Sequence, residues 1–214
     1  MIFNEHSNLR GRHAVFSPSS YYWMNDTEEE ALQRYCSSFA SSIGTALHGM
    51  AEDYIRFNVK MTRFDKKQIP LTLLKSGIPP LVVDRLSIDD LFETVMLYVN
   101  DCIGFRMTPE VTLYFSDLFF GTTDAIAFDE RERRLRISDL KTGNSPAKID
   151  QLVAYDALFR LEYCPLLRIR PEDILSELRI YQQGEIQLCN PKADDVIFVM
   201  EHIKTLDKIK TYDD

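Results

Sequence analysis

The sequence predicts one α/β domain: a mixed β-sheet of four or five strands with helices on both sides, preceded by a helical region. Three observations carry that expectation. With 214 residues, 45% hydrophobic and 27% charged, the chain can bury one real core, and two compact domains are not expected. Its apolar period changes from three or four residues to two at about residue 110. Helical patterning then returns between the third strand and the fourth. The resulting division of the single domain, 1–214, is a mainly helical part over 1–109, a sheet core over 110–190 and a C-terminal helix over 191–214.

Residues 1–16 carry His6, Arg10, Arg12 and His13 with no clear period and read as an arm. Ser17-Pro18 opens a short helix, because a Ser cap accepts from free N–H groups and Pro is tolerated in the first turn. The aromatic run Tyr21, Tyr22, Trp23 and Met24 reads first as core and second as a surface for stacking on bases. Thr27–Gln33 is acidic and helix-favouring. A helix over 42–58 is expected from the stripe Ile43, Leu47, Met50, Ala51 and Tyr54, with His48 at its rim and Glu52 one turn on. Residues 59–80 read as a basic, then Pro-rich, connection containing a short helix. Ser87 or Asp89 caps a further helix with Leu91, Val95, Tyr98 and Cys102 on its apolar face and Gly104 at its end.

From residue 110, Val111, Leu113 and Phe115 alternate with polar neighbours, and 119–128 forms a second strand. After the polar turn 129–133, Arg134-Leu135-Arg136-Ile137 leads into Ser138-Asp139-Leu140-Lys141-Thr142-Gly143. The three strands form an antiparallel meander. Ser145 and Pro146 are expected to start a helix running to about Leu161, with Lys148, Gln151 and Tyr155 on one face. A strand over 178–181, a return over 186–188 and an amphipathic helix over 193–210 complete the chain.

No apolar run approaches the roughly 20 residues of a bilayer span. Met1–His6 lacks a basic start and an apolar stretch, so no signal peptide is expected. A cytoplasmic location, in a bacterial or phage-infected cell, is the expectation. Cys36, Cys102, Cys164 and Cys189 are not spaced as zinc or cluster ligands and read as reduced thiols. A formal net charge of −8 argues against non-specific nucleic-acid binding. It leaves room for an enzyme that gathers carboxylates around a divalent metal and holds phosphate through it. The basic groups Lys60, Arg63, Lys66, Lys67 and Arg131, Arg133, Arg134, Arg136 read as solvated surface, with phosphate contact as the second reading.

The chemistry concentrates at the end of the third strand. Alternation puts Leu135, Ile137, Asp139 and Lys141 on one face, with i and i+2 side chains roughly 6.5–7 Å apart. Asp124, on the neighbouring strand, falls beside Asp139. Two adjacent carboxylates repel unless a cation joins them, and oxygen ligands suit Mg²⁺ or Mn²⁺. Lys141 is no ligand while charged, but it can stabilise a scissile phosphate or orient water. The Leu140 carbonyl is a further donor.

The ordered set Gly44-Thr45-Ala46-Leu47-His48, Gly121-Thr122-Thr123-Asp124, Asp139-Leu140-Lys141-Thr142-Gly143 and Gln151-Leu152-Val153-Ala154-Tyr155 resembles the PD-(D/E)XK nuclease superfamily, in its RecB-like and phage exonuclease branch. Ser17-Pro18-Ser19-Ser20 and Trp23 resemble the opening of phage-encoded relatives, and the likeness covers most of 14–190. It implies a restriction-endonuclease-like sheet core. It implies a metal site of Asp124, Asp139, the Leu140 carbonyl and His48, with Lys141 as the catalytic lysine. Gln151 and Tyr155 would support the site or contact the DNA backbone, a structural role being the other reading. Glu110 opens the first strand where several relatives carry an active-site glutamate; a surface strand start is its alternative. Glu52 is a weaker candidate.

The implied activity is Mg²⁺- or Mn²⁺-dependent phosphodiester hydrolysis of DNA, by a stand-alone exonuclease of phage-type recombination or repair. An endonuclease or structure-specific nuclease on the same site, a catalytically silent binding or assembly module, and a phosphohydrolase of small nucleotides are the alternatives. DNA, a single-strand annealing or recombination protein and a second copy of the chain are the implied partners. The iron–sulfur cluster of some relatives is not expected, because the cysteines do not match.

Overall fold

A computed structural model of the chain describes residues 4–209. Its helices and strands follow in the order α1 Glu28–Ser37, α2 Ala40–Arg56, α3 Gln68–Lys75, α4 Pro80–Val83, α5 Ile88–Gly104, β1 Thr108–Ser116, β2 Phe119–Asp129, β3 Arg134–Lys141, α6 Asp150–Leu167, β4 Leu175–Gln182, β5 Glu185–Cys189 and α7 Ala193–Asp207. The expected residue Lys210 of the last helix lies outside the described residues. The sheet is mixed, five-stranded and in sequence order, β1-β2-β3-β4-β5. β1, β2 and β3 are the antiparallel meander; α6 then carries the chain across, so β4 lies parallel to β3 and β5 returns antiparallel.

Period-two alternation sorts each strand between two cores. Leu135 and Ile137 of β3, with Leu178 and Ile180 of β4, face α6 and α7. Ala125, Leu140 and Tyr181 face α2, α3, α4 and α5. Full burial of each aliphatic side chain stabilises by about 1.5–3 kcal/mol, so a one-residue slip of β3 would exchange both faces at once. The helix starts follow their caps. Thr27 and Glu30 form a capping box on α1, and the Ser87 side chain accepts from Asp90 N–H on α5.

Three expectations fail for identifiable reasons. Ser145 and Pro146 do not start α6, which begins at Asp150. The loop before it is held by Gln182 of β4, which donates to the carbonyls of Gly143 and Ser145 (2.6 and 2.8 Å) and accepts from Ala147 N–H. Lys148 therefore precedes the helix and does not share the α6 face of Gln151 and Tyr155. The same helix passes Leu161 and ends at Leu167, with Pro165 in its last turn and Arg168 closing it in the left-handed conformation. Finally, Tyr21, Tyr22 and Met24 do not enter a core but are exposed; the Tyr21 and Tyr22 rings stack on each other at 4.8 Å. Trp23 alone of the four is half-buried, its indole N–H donating to the Ser17 carbonyl.

Candidate metal and catalytic site

The site forms where the β2–β3 ladder ends. The last bonded pair is Ala125–Ser138, and one step beyond it Asp124 stands opposite Asp139. On its other side, Asp124 stands opposite Glu110, which falls between the pairs Pro109–Ala125 and Val111–Thr123. Three carboxylates thus make one row across β1, β2 and β3. The Asp124 carboxylate accepts from Leu140 N–H at 2.8 Å. The α2 helix brings His48 to the same point, its Nδ1 3.5 Å from Asp124 Oδ2. His48, Glu110 and Asp124 each offer a ligand atom within 4.8 Å of the others.

Glu110 reaches that point through an unusual backbone. Its φ is +53°, a left-handed conformation inside a strand, which costs a non-glycine residue on the order of 1–3 kcal/mol. A strand interior supplies no local reason for it; facing His48 and Asp124 is what the conformation achieves.

Asp139 and Lys141 form the second half of the site. The Asp139 side chain is only 5% exposed, whereas that of Lys141 is 33% exposed. Lys141 Nζ donates to Asp139 Oδ1 at 3.1 Å and to Gln151 Oε1 at 3.3 Å. Asp139 Oδ2 lies 2.9 Å from the same ammonium but accepts no hydrogen bond. A buried carboxylate oxygen without one is uncommon in a finished structure.

Electrostatics describe the same crowding. Burial, and then Asp124, push the Asp139 carboxyl above its ordinary range, with Lys141 pulling back. Burial, Asp124 and Glu52 raise Glu110. Burial lowers His48, but Asp124 and the Leu140 backbone outweigh it, so the imidazole holds its proton more tightly than usual. Asp124 contributes to all three shifts.

The remaining expected residues divide. Gln151 touches Lys141 directly. Tyr155 packs instead on β2: a Cβ added to Gly121 would stand 2.9 Å from the Tyr155 ring. Glu52 pairs with Arg56 at 2.6 Å and contributes charge to the site, not a ligand atom. The basic run at the start of β3 is engaged in ion pairs: Arg133 with Asp173, Arg134 with Glu132, and Arg136 with Glu177. Lys60, Arg63 and Lys67 are exposed. Cys102 and Cys164 are buried free thiols, and Cys36 and Cys189 are half-buried free thiols. Gln182, which fixes the loop after Lys141, carried no signal in the sequence, since a lone Gln at a strand end has no motif. No family model matches the chain, and no curated protein matches it. Among the described residues no helix is long and apolar enough to cross a membrane.

Proposed function

We propose that the chain is a divalent-metal-dependent deoxyribonuclease of the PD-(D/E)XK type, acting as a stand-alone exonuclease in recombination or repair. The observation that carries this reading is the carboxylate row Glu110–Asp124–Asp139 with Lys141 one alternation beyond it. Both Asp139 oxygens lie within ion-pair distance of the Lys141 ammonium, at 3.1 and 2.9 Å, which ties the lysine to the row.

The donors fit a hard cation. Carboxylate oxygens with one imidazole suit Mn²⁺, and the oxygens alone suit Mg²⁺. His48, Glu110, Asp124 and Asp139 would hold the ion, with the Leu140 carbonyl as a further donor. When bound, it would lower the pKa of an attacking water and offset charge on the phosphate. The protein's own contribution is positional. Gln151 and Asp139 hold the Lys141 ammonium at the mouth of the site, where it can donate to a phosphate oxygen as charge develops there. Gln182 braces the loop that follows Lys141.

Linear duplex and single-stranded DNA, labelled at the 5′ or 3′ end, tests the reading with Mg²⁺, Mn²⁺ or chelator. The expected result is metal-dependent shortening from an end, lost at least about 100-fold in Asp139→Ala and Lys141→Ala, both of which keep the wild-type circular dichroism. Unchanged cleavage in both variants rejects the site. Closed circular DNA should survive; its cleavage would make the enzyme an endonuclease on the same residues.

A further inference from the structure

The two edges of the sheet are treated differently. On the β1 edge, Tyr114 N–H donates to Glu162 of α6 (2.8 Å), and the positive φ of Glu110 interrupts the regular strand. The β5 edge has no such cover. β4 and β5 are joined by the two-residue turn Gln183-Gly184, both residues at positive φ (53° and 73°), the geometry of a type I′ hairpin. The pair flanking such a turn, here Gln182–Glu185, is hydrogen-bonded, and bonding then alternates along the ladder. Glu185, Gln187 and Cys189 therefore bond to β4, while the N–H and C=O groups of Ile186 and Leu188 point out of the sheet. Among the described residues no other segment pairs with them. The Ile186 and Leu188 side chains, opposite Tyr181 and Arg179, are 40% and 54% exposed. The edge is also preformed, because Gly184 N–H donates to Thr94 of α5 at 2.7 Å. Sheets blunt an open edge with charge, Pro or a bulge. Residues 186–189 carry no charge and no Pro, and the β4–β5 register has no break.

This edge is complementary to itself. Let two antiparallel copies of β5 be related by a two-fold axis at Gln187, normal to the sheet. Ile186 then stands opposite Leu188 of the second copy, and Leu188 opposite Ile186. Both are hydrogen-bonded pairs that exchange their N–H···O=C bonds, so every outward group finds a partner. The same register sets apolar side chains beside apolar ones, Gln187 beside Gln187 and Glu185 beside Cys189, with no like charges opposed.

We propose that β5 is a homodimerisation edge, on which a second copy of the chain pairs through its own β5 about an axis at Gln187. The contact is short beside the roughly 1,200–2,000 Å² of a stable interface, so the pair is reversible and forms as concentration rises. Gln187 lies opposite Ile180, and Ile180 opposite Asp139, so the axis falls on the row that holds the candidate site. The two sites of the dimer therefore lie on one side of a continuous sheet, five strand spacings of 4.7–4.9 Å apart, about 24 Å in all.

The pairing stands apart from the nuclease reading, and its test uses neither DNA nor metal. Sedimentation equilibrium of the full chain in chelator, from low to high micromolar concentration, should show a monomer–dimer equilibrium. Gln187→Lys, a change at an exposed position, sets two ammonium groups against each other at the axis. It should weaken the dimer at least about tenfold and leave the circular dichroism unchanged. In Gln187→Cys the directly opposed Cα atoms, about 4.5 Å apart in a non-hydrogen-bonded pair, are within reach of a disulfide. Mild oxidation with diamide should therefore join position 187 of the two copies, as located by peptide mass mapping, whereas the wild type with its native thiols should not be linked there. A chain that stays monomeric at every concentration overturns the pairing and leaves the edge to a strand of a different protein. A dimer that Gln187→Lys does not weaken and Gln187→Cys does not link also overturns it, because that dimer uses another surface.

Discussion

At the scale of single residues, Asp139 concentrates the conflict between stability and chemistry. Burial and Asp124 raise its pKa, so the folded state binds its proton more tightly than the unfolded chain does. The ionised carboxylate therefore costs stability at neutral pH, and the cost grows as pH rises through the ordinary carboxylate range. Asp139→Asn should stabilise the metal-free protein by about 1 kcal/mol, a Tm rise of about 2–4 °C, while abolishing cleavage. Thermal unfolding in chelator at pH 7.5 measures it; a lower Tm than wild type would mean that the Lys141 pair dominates. Asp139 and Lys141 were legible because alternation is a strict geometric rule. His48 was legible only through its neighbours, as a polar residue at a helix rim. Glu110 was half-legible: its place on the first strand could be read, though β1 begins two residues earlier at Thr108, but its positive φ could not. No local sequence feature encodes that conformation.

Among the elements, α6 does most to tie site to scaffold. Its first turn carries Gln151 to Lys141, and its middle carries a fully buried pair, Asp156 and Arg160, at 2.7 Å. Arg160 also donates to Ser176 Oγ at 2.7 Å and to the carbonyls of Pro171 and Ile174, so it fixes the entry of β4. Removing one partner would strand a buried charge. Asp156→Ala should lose about 3–5 kcal/mol in urea unfolding, without any change at His48, Glu110, Asp124 or Asp139. A loss below 1 kcal/mol would show that the backbone carbonyls alone satisfy Arg160. The sequence revealed this helix by its period but misplaced both ends. Ser145-Pro146 has the composition of a helix start, and Pro165 that of a stop. Tertiary hydrogen bonds from Gln182 overrule the first, and the second stops the helix only after two more residues, at Leu167. The exposed Tyr21 and Tyr22 fail differently: an aromatic run has no period with which to distinguish core from surface.

Across the whole molecule, the meander could be read from alternation and short turns, while β4 beside β3 had to await the α6 crossover. That parallel pairing brings distant charges together. Arg136 of β3 and Arg179 of β4 lie on either side of Glu177 (3.4 and 2.6 Å), and both guanidinium groups stand over the Phe105 ring. Burial raises the Glu177 carboxyl, but Arg179 and Arg136 outweigh it and leave it below the ordinary value of 4.5. A depressed carboxylate stabilises the fold above its unfolded value, and that contribution disappears as pH falls through the folded one. Asp65 and Asp173, lowered chiefly by the Thr62 backbone and by Arg170, act in the same direction. Asp139 and Glu110, with raised values, act in the opposite one. The two sets separate in acid: the ion-pair network loosens below about pH 4.5, where protonating the crowded site relieves repulsion. Glu177→Gln should therefore lower stability at pH 7 by about 1 kcal/mol and flatten the decline between pH 5 and 3, whereas Asp139→Asn should steepen it. Urea midpoints across that range compare the two directly. Parallel curves for Glu177→Gln and the wild type would assign the acid sensitivity to other carboxylates and leave the Arg136–Glu177–Arg179 contact as packing against Phe105.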